Sequence, residues 1–417
     1  MPCKNPVFIT LLEFCSGLDI NFSGSDILSN SSKIIIGMTG PFGSGCTYIS
    51  KSIINDLGYE YISLSDILRK KCAEQEENEK SRTELQDIGN KIREENGNDI
   101  LAKEAIDIIN NSNKNKFVID SIRNTHEIET FKKEYSSFFL FAVWANKDIR
   151  WQRVKDKYDN NNALFEKDDV RDSNEKIENG QQITLCYQMA DVIILNEKHI
   201  HSKATDSFRD LNAIANKYID LIESKSCFEP SEMETLMTMA YANSMRSSCT
   251  QRKVGALIID NYGNVFSSGY NEVPSSERPC INQYGMCYRK YLRANIDKKL
   301  NDILHDTELT IEVSKTIKNN SKMLDYCRAL HAEESAIINM ARLSVSADLS
   351  GATLYTTTYP CNLCANKIAQ VGIKHIIYYE PYPQEEAKNI LNKHNVKQIP
   401  FEGITFNGYF RFMEVLR

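Results

Sequence analysis

Residues 33–47 read Lys-Ile-Ile-Ile-Gly-Met-Thr-Gly-Pro-Phe-Gly-Ser-Gly-Cys-Thr, or KIIIGMTGPFGSGCT. An apolar run of strand length that breaks into a glycine-rich loop opens an α/β unit whose first turn can cradle phosphate. The loop has the frame G-x-x-x-x-G-K-[ST], with Gly40, Gly45 and Thr47 in place and Cys46 standing where the lysine should be. Backbone amides across Gly43, Ser44, Gly45, Cys46 and Thr47 can still hold phosphates, and the Thr47 hydroxyl can still ligate magnesium. Phosphoryl transfer does lean on the missing charge. A thiolate there would be repelled by phosphates, so a neutral Cys46 thiol is expected, with binding retained and kinase turnover weakened.

Outward from this loop, the short runs YEYISL, KFVID, FFLFAVW and ADVIIL alternate with longer periodic segments up to about Ser224. That alternation predicts a parallel sheet with crossover helices. Asp120, which ends KFVID, is a second phosphate-side carboxylate able to hold magnesium through water. The densely charged run KCAEQEENEKSR, ending at Arg82, reads as a solvated helix surface or lid. At Lys225-Ser-Cys-Phe-Glu-Pro230 the pattern changes, and Ser231 can cap a new helix. We therefore expect an N-terminal extension over 1–32, a first domain over 33–225 and a second over 226–417. The second should carry a helix to about Ser247, a hairpin from VGALIID and NVFSSGY, and a long insertion. A helix to Arg342, the strand ATLYTT, a helix from Cys361 and the strand HIIYY follow, giving an α/β layer fold with a mixed sheet.

Composition sets the limits of this reading. A chain of 417 residues exceeds one ordinary core, so two units of roughly 200 residues fit. A net charge of −6 gives no global attraction for nucleic acid. The N-terminal MPCKNPVFITLLEFCSG has no cationic leader and an apolar portion far short of the roughly 20 residues that span a bilayer. Twelve cysteines without an export signal point to a reducing compartment, so a cytoplasmic protein without a membrane partner is expected.

The sharpest signal is His331-Ala-Glu333 followed by Pro360-Cys361-Asn-Leu-Cys364. Zinc takes imidazole and thiolate ligands tetrahedrally, and a catalytic site keeps three protein ligands and a fourth position for water. His331, Cys361 and Cys364 supply three. Two thiolates balance the dication, so Glu333 stays free to move protons. The pattern H-x-E…P-C-x-x-C is the zinc-deaminase signature, in which that glutamate is general acid and base. Both halves open predicted helices, where the dipole favours thiolate.

Residues from about Ser231 to Tyr382 resemble the deoxycytidylate deaminase family. The likeness runs through Met239-Ala240, Ser247-Ser-Cys-Thr-Gln-Arg-Lys-Val-Gly-Ala256, Ser268-Gly-Tyr-Asn-Glu-Val-Pro274, HAEESAI and LYTTTYPCNLCANKIAQVGIKHIIYYEPY. It implies a cytidine-deaminase-like α/β/α domain, a substrate contact by Asn271, and weaker substrate-side candidates in Tyr379 and Tyr382. GYNEVP replaces the usual GYNGxP, and Glu272 at that point leaves phosphate number open. Arg246, Arg252 and Lys253 read as surface charge ahead of phosphate binding. Cys249, Cys280, Cys287 and Cys327 match no standard knuckle, so unpaired thiols are preferred to a second, structural zinc.

The first half resembles the P-loop nucleotide kinases, with Arg123, Arg150, Arg153 and Arg171 as candidate replacements for the missing charge. The joined architecture, including Gly180-Gln-Gln-Ile-Thr-Leu-Cys-Tyr-Gln-Met-Ala-Asp191, resembles the bacterial anti-phage dCTP deaminases. That resemblance implies deamination of dCTP and dCMP with depletion of dCTP, a homo-oligomer, and a regulatory nucleotide with Mg2+ at the first domain. Three alternatives stay open: a tRNA or single-stranded DNA deaminase, a bifunctional kinase-deaminase, and a binding module held inactive by an RNA or protein partner.

Overall fold

The computed structural model describes residues 33–73, 82–173, 180–197, 210–304, 307–320, 326–342, 349–381 and 385–414. The expected extension over 1–32 and most of the KCAEQEENEKSR run lie outside the described residues. Two sheets organise the molecule. The strands are β1 (Ile34–Thr39), β2 (Glu60–Ser63), β3 (Lys116–Ile122), β4 (Phe138–Trp144), β5 (Val192–Leu195), β6 (Gly255–Ile259), β7 (Val265–Tyr270), β8 (Thr353–Thr358), β9 (His375–Glu380), β10 (Lys397–Pro400) and β11 (Gly403–Ile404).

The first sheet has the order β11-β5-β4-β1-β3-β2. β1 runs parallel to both β3 and β4, placing the glycine loop at the carboxyl edge of a central strand. Helices cover both faces, so β4 is buried along its whole length and reads as an unbroken apolar run. The second sheet, β10-β9-β8-β6-β7, is mixed. β6 is antiparallel to β7 and β8, whereas β8, β9 and β10 run parallel. The expected cap is present: Ser231 accepts from the Glu234 amide and Glu234 answers to the Ser231 amide, a reciprocal box at the start of the helix Glu232–Ser244. The insertion between Pro274 and His331 holds the helices Cys280–Tyr284, Tyr288–Leu304 and Thr307–Asn320.

The chain does not stay in the second sheet to its end. β11 pairs antiparallel with β5 of the first sheet, and the helix Phe406–Glu414 follows it there. A division at residue 225 thus leaves one strand of the first sheet on the wrong side. The cause is packing: β5 would otherwise be an open edge. One apolar core also runs through both units, joining Ile35, Phe138 and Tyr187 to Leu236, Leu257, Tyr379 and Phe401.

Candidate active site

His331 lies one residue ahead of the helix Ala332–Arg342. Cys361 is the N-cap of the helix Asn362–Gln370, and Cys364 sits in its first turn. Gly269 of β7 lets the first of these helices seat closely, since a Cβ there would lie 2.2 Å from the Ala332 carbonyl oxygen. Lys367 of the second helix pairs with Glu334 of the first at 2.5 Å, and the Glu334 carboxylate accepts from the His331 amide. The two helix starts are thereby docked together.

The ligand atoms of His331, Cys361 and Cys364 all fall within 4.8 Å of one another. His331 Nδ1 is 3.3 Å from Cys361 Sγ and 3.4 Å from Cys364 Sγ. Zinc–sulfur and zinc–nitrogen bonds of about 2.3 and about 2.0 Å at a tetrahedral angle put S and N about 3.5 Å apart, so the donor set fits a single zinc ion. Hydrogen bonding from the Cys364 thiol and from His331 holds Cys361 down at about 4, a thiolate at neutral pH. Bonding to Cys361 and burial push Cys364 up in the absence of metal. Glu333 is buried, and its Oε2 accepts from Cys364 Sγ at 3.6 Å. Burial raises its carboxyl above the usual range, which suits a group that must both take and give a proton.

A cavity of about 260 Å³ opens beside these groups. Asn271 lines it, with its amide engaged: Oδ1 accepts from Val254 N–H at 2.7 Å and Nδ2 donates to the Arg252 carbonyl at 2.8 Å. Glu272 accepts from the Ser248 amide and hydroxyl, so the GYNE departure laces down the loop that precedes β6. Sequence reasoning did not single out Glu380, and it ranked Arg252 as surface charge ahead of phosphate binding. Arg252 is about half exposed, yet it lines the cavity and pairs with Glu380. Arg246 instead lies over the Tyr270 ring, and Lys253 is exposed. Tyr379 is fully buried in the core between the units, where it bonds the Tyr187 carbonyl, and is not on the cavity wall. Tyr382 lies outside the described residues.

Gly40, Gly43, Ser44, Gly45, Cys46, Thr47 and Asp120 all line one cavity of about 360 Å³, adjoining another of about 300 Å³. Thr47 Oγ1 donates to Asp120 Oδ2 at 2.7 Å, as does the Tyr61 hydroxyl at 3.0 Å. Gly45 is in the left-handed region at φ 103°, and a Cβ there would meet the Asn196 amide at 2.2 Å. Desolvation pushes the Cys46 thiol up to about 12, leaving it neutral. The four candidate arginines are all engaged with protein groups, although Arg123 and Arg153 line the loop's cavity. Arg123 bonds Asp172 and Gln181, Arg150 bonds Asp169, Arg171 pairs with Asp87, and Arg153 holds the loop carbonyls of Gly43 and Ser44. Lys157, which the sequence did not single out, lines both cavities with its ammonium over the Phe42 ring.

A histidine and two cysteines at two helix starts, beside a buried glutamate that is not in the donor group, define a zinc-dependent deaminase centre. Residues 230–380 match the family model described as the cytidine and deoxycytidylate deaminase zinc-binding region, and residues 39–167 match one described as an AAA domain. The chain is 33% identical over 156 residues to the deoxycytidylate deaminase of Enterobacteria phage T2, covering 36% of this chain and 81% of that one. It is 30% identical over 145 residues to that of Mycobacterium phage D29, covering 35% and 91%. A deoxycytidylate deaminase of Schizosaccharomyces pombe is 26% identical over 271 residues, covering 64% and 71%. The chain belongs to the deoxycytidylate deaminase family, joined to a phosphate-loop unit, and is a deaminase. Among the described residues, no helix is long and apolar enough to cross a membrane.

Proposed function

We propose that the protein hydrolytically deaminates free deoxycytidine nucleotides, dCMP and dCTP, to their deoxyuridine forms. His331, Cys361 and Cys364 would hold the zinc, and the observation that carries this reading is their convergence beside buried Glu333. Zinc in that position supplies a water activated at neutral pH. Glu333 would carry one proton from the attacking water to N3 of the ring and then a second, from the hydroxyl formed on C4, to the amine that leaves as ammonia. Asn271 fixes the wall that the nucleotide meets. The names of the relatives support deoxycytidylate as a substrate. Use of dCTP, its depletion in defence against phage, a homo-oligomeric assembly and a cytoplasmic setting are the finer parts of the proposal.

The first unit serves as a regulatory nucleotide site in this reading. Its loop keeps the Thr47–Asp120 pair that magnesium would use, while Cys46 brings no charge for phosphoryl transfer. A structural zinc on Cys249, Cys280, Cys287 and Cys327 is a separate proposal. Among the described residues these thiols do not form a second three-donor group, and two zinc ions per chain in the purified protein would support it.

Ammonia release from dCMP, dCTP and a cytosine-containing oligonucleotide tests the central proposal. Release from the free nucleotides alone is expected. Release from the oligonucleotide alone would replace the reading with a polynucleotide deaminase.

A further inference from the structure

Arg252 is held at both ends. Its backbone is fixed by the Asn271 amide, which donates to the Arg252 carbonyl and accepts from the Val254 amide two residues on. Its guanidinium reaches the Glu380 carboxylate at the end of β9 through Nη2. Glu380 is itself buried and bound on both oxygens. Oε2 accepts from the Thr358 hydroxyl at 3.3 Å, and Oε1 accepts from Gln188 Nε2 at 2.9 Å. Thr358 and Glu380 line the same cavity as Arg252 and Glu333, whereas Gln188 comes from the first unit, at the end of the helix Ile183–Gln188. That helix end is fixed in turn, because Asn407 Nδ2 donates to the Gln188 carbonyl at 2.7 Å.

An arginine fixed in this manner has its orientation set before any ligand arrives, which is what binding sites require of a charged side chain. The fork carries five donors, and the contact through Nη2 leaves others for a ligand. Guanidinium matches the geometry of phosphate and offers bonds that a neutral nucleoside cannot use to the same extent. We infer that Arg252 binds the phosphorylated end of the substrate in the deaminase cavity, and that Gln188 of the first unit is a positioning residue for it, acting through Glu380. The inference rests on the deaminase reading and deepens it. It assigns one wall of the deaminase cavity to the phosphate-loop unit.

A contact to phosphate, remote from the reacting carbon, is made equally in the ground and transition states and so shows in KM ahead of kcat. Steady-state deamination of dCMP by the full-length, zinc-loaded protein tests this. Arg252→Gln should raise KM about tenfold or more with kcat within about threefold, and Arg252→Lys should recover part of the loss, keeping charge without the fork. Gln188→Leu should raise KM about threefold, and should add nothing once Arg252 is already Gln, because the two act on one contact. Either an Arg252→Gln protein that loses kcat at unchanged KM, or one with both constants unchanged, overturns the phosphate contact. Gln188→Leu effects that multiply in full with those of Arg252→Gln overturn the positioning role. A wild-type protein that releases no ammonia from dCMP or dCTP would instead remove the deaminase reading itself, and this inference with it.

Discussion

Glu333 Oε2 and Cys364 Sγ lie 3.6 Å apart yet the two residues should fail in different ways. In the proposed reaction the carboxylate carries protons, so Glu333→Ala should lower kcat by at least about a hundredfold, the low end for a general acid and base, with zinc still bound. Cys364→Ser should lose zinc and local structure together, because the proposed reading makes its thiolate a ligand at a helix start. Metal content measured beside turnover separates the two. Retention of near-normal activity by Glu333→Ala would overturn its role. At the loop, Cys46 answers the question its position raises: half-buried on the cavity wall and neutral, it leaves the phosphate cradle without the lysine charge. The cations closest to hand are arginines already tied to carboxylates or loop carbonyls, with Lys157 on the cavity wall.

At the scale of elements, the helix Leu211–Ile222 packs on the first unit, and Glu223 just beyond its end meets Lys116 of β3 and Tyr59, the residue ahead of β2. Burial works to raise its carboxyl, but hydrogen bonds from Lys116, Lys225 and Tyr59 win and hold it below the usual carboxylate range. A group whose folded value is depressed stabilises the fold above its unfolded value, about 4.3 for glutamate, and that contribution is lost as pH falls through the folded value. Glu223→Gln should therefore lower the melting temperature at pH 7, and the gap from wild type should close as pH is taken below 4. A gap that stays constant across that range would show that the charge is not the cause. The helices bearing His331 and Cys361 follow a similar logic, since Gly269 and the Lys367–Glu334 pair set where the metal ligands sit.

Across the whole molecule, the two units are not beads on a linker. Arg411, near the C-terminus, donates to fully buried Asp191 at 2.7 Å and to the Phe138 carbonyl, beside the pairing of β11 with β5. Removing one partner leaves a buried carboxylate short of a donor, so Arg411→Ala should cost about 2 kcal/mol of stability, read by denaturant unfolding of the full chain. An unchanged midpoint would show that water replaces the guanidinium without loss. Because β11 completes the first sheet, a fragment ending at residue 225 exposes the edge of β5, and activity assays on it would test an incomplete fold.

Local pattern was enough for much of this protein. The apolar runs of β1 to β9 gave strands because continuous or alternating apolar residues have few other ways to be buried. Spacing alone singled out His331, Glu333, Cys361 and Cys364, which the fold then brings together, since candidate metal ligands at helix starts leave a fixed signature along the chain. The reciprocal cap at Ser231 and Glu234 was equally local. What only the tertiary structure decided were pairings between residues far apart in sequence: Arg252 with Glu380, Glu380 with Gln188, and Arg411 with Asp191. A lone arginine or glutamine has no periodicity that reports its partner. Whether its charge faces solvent or a cavity depends on which distant strand and helix the fold brings beside it. The return of β11 to the first sheet was hidden for the same reason, because a two-residue strand is too short to carry a pattern and exists only where an open edge is waiting for it.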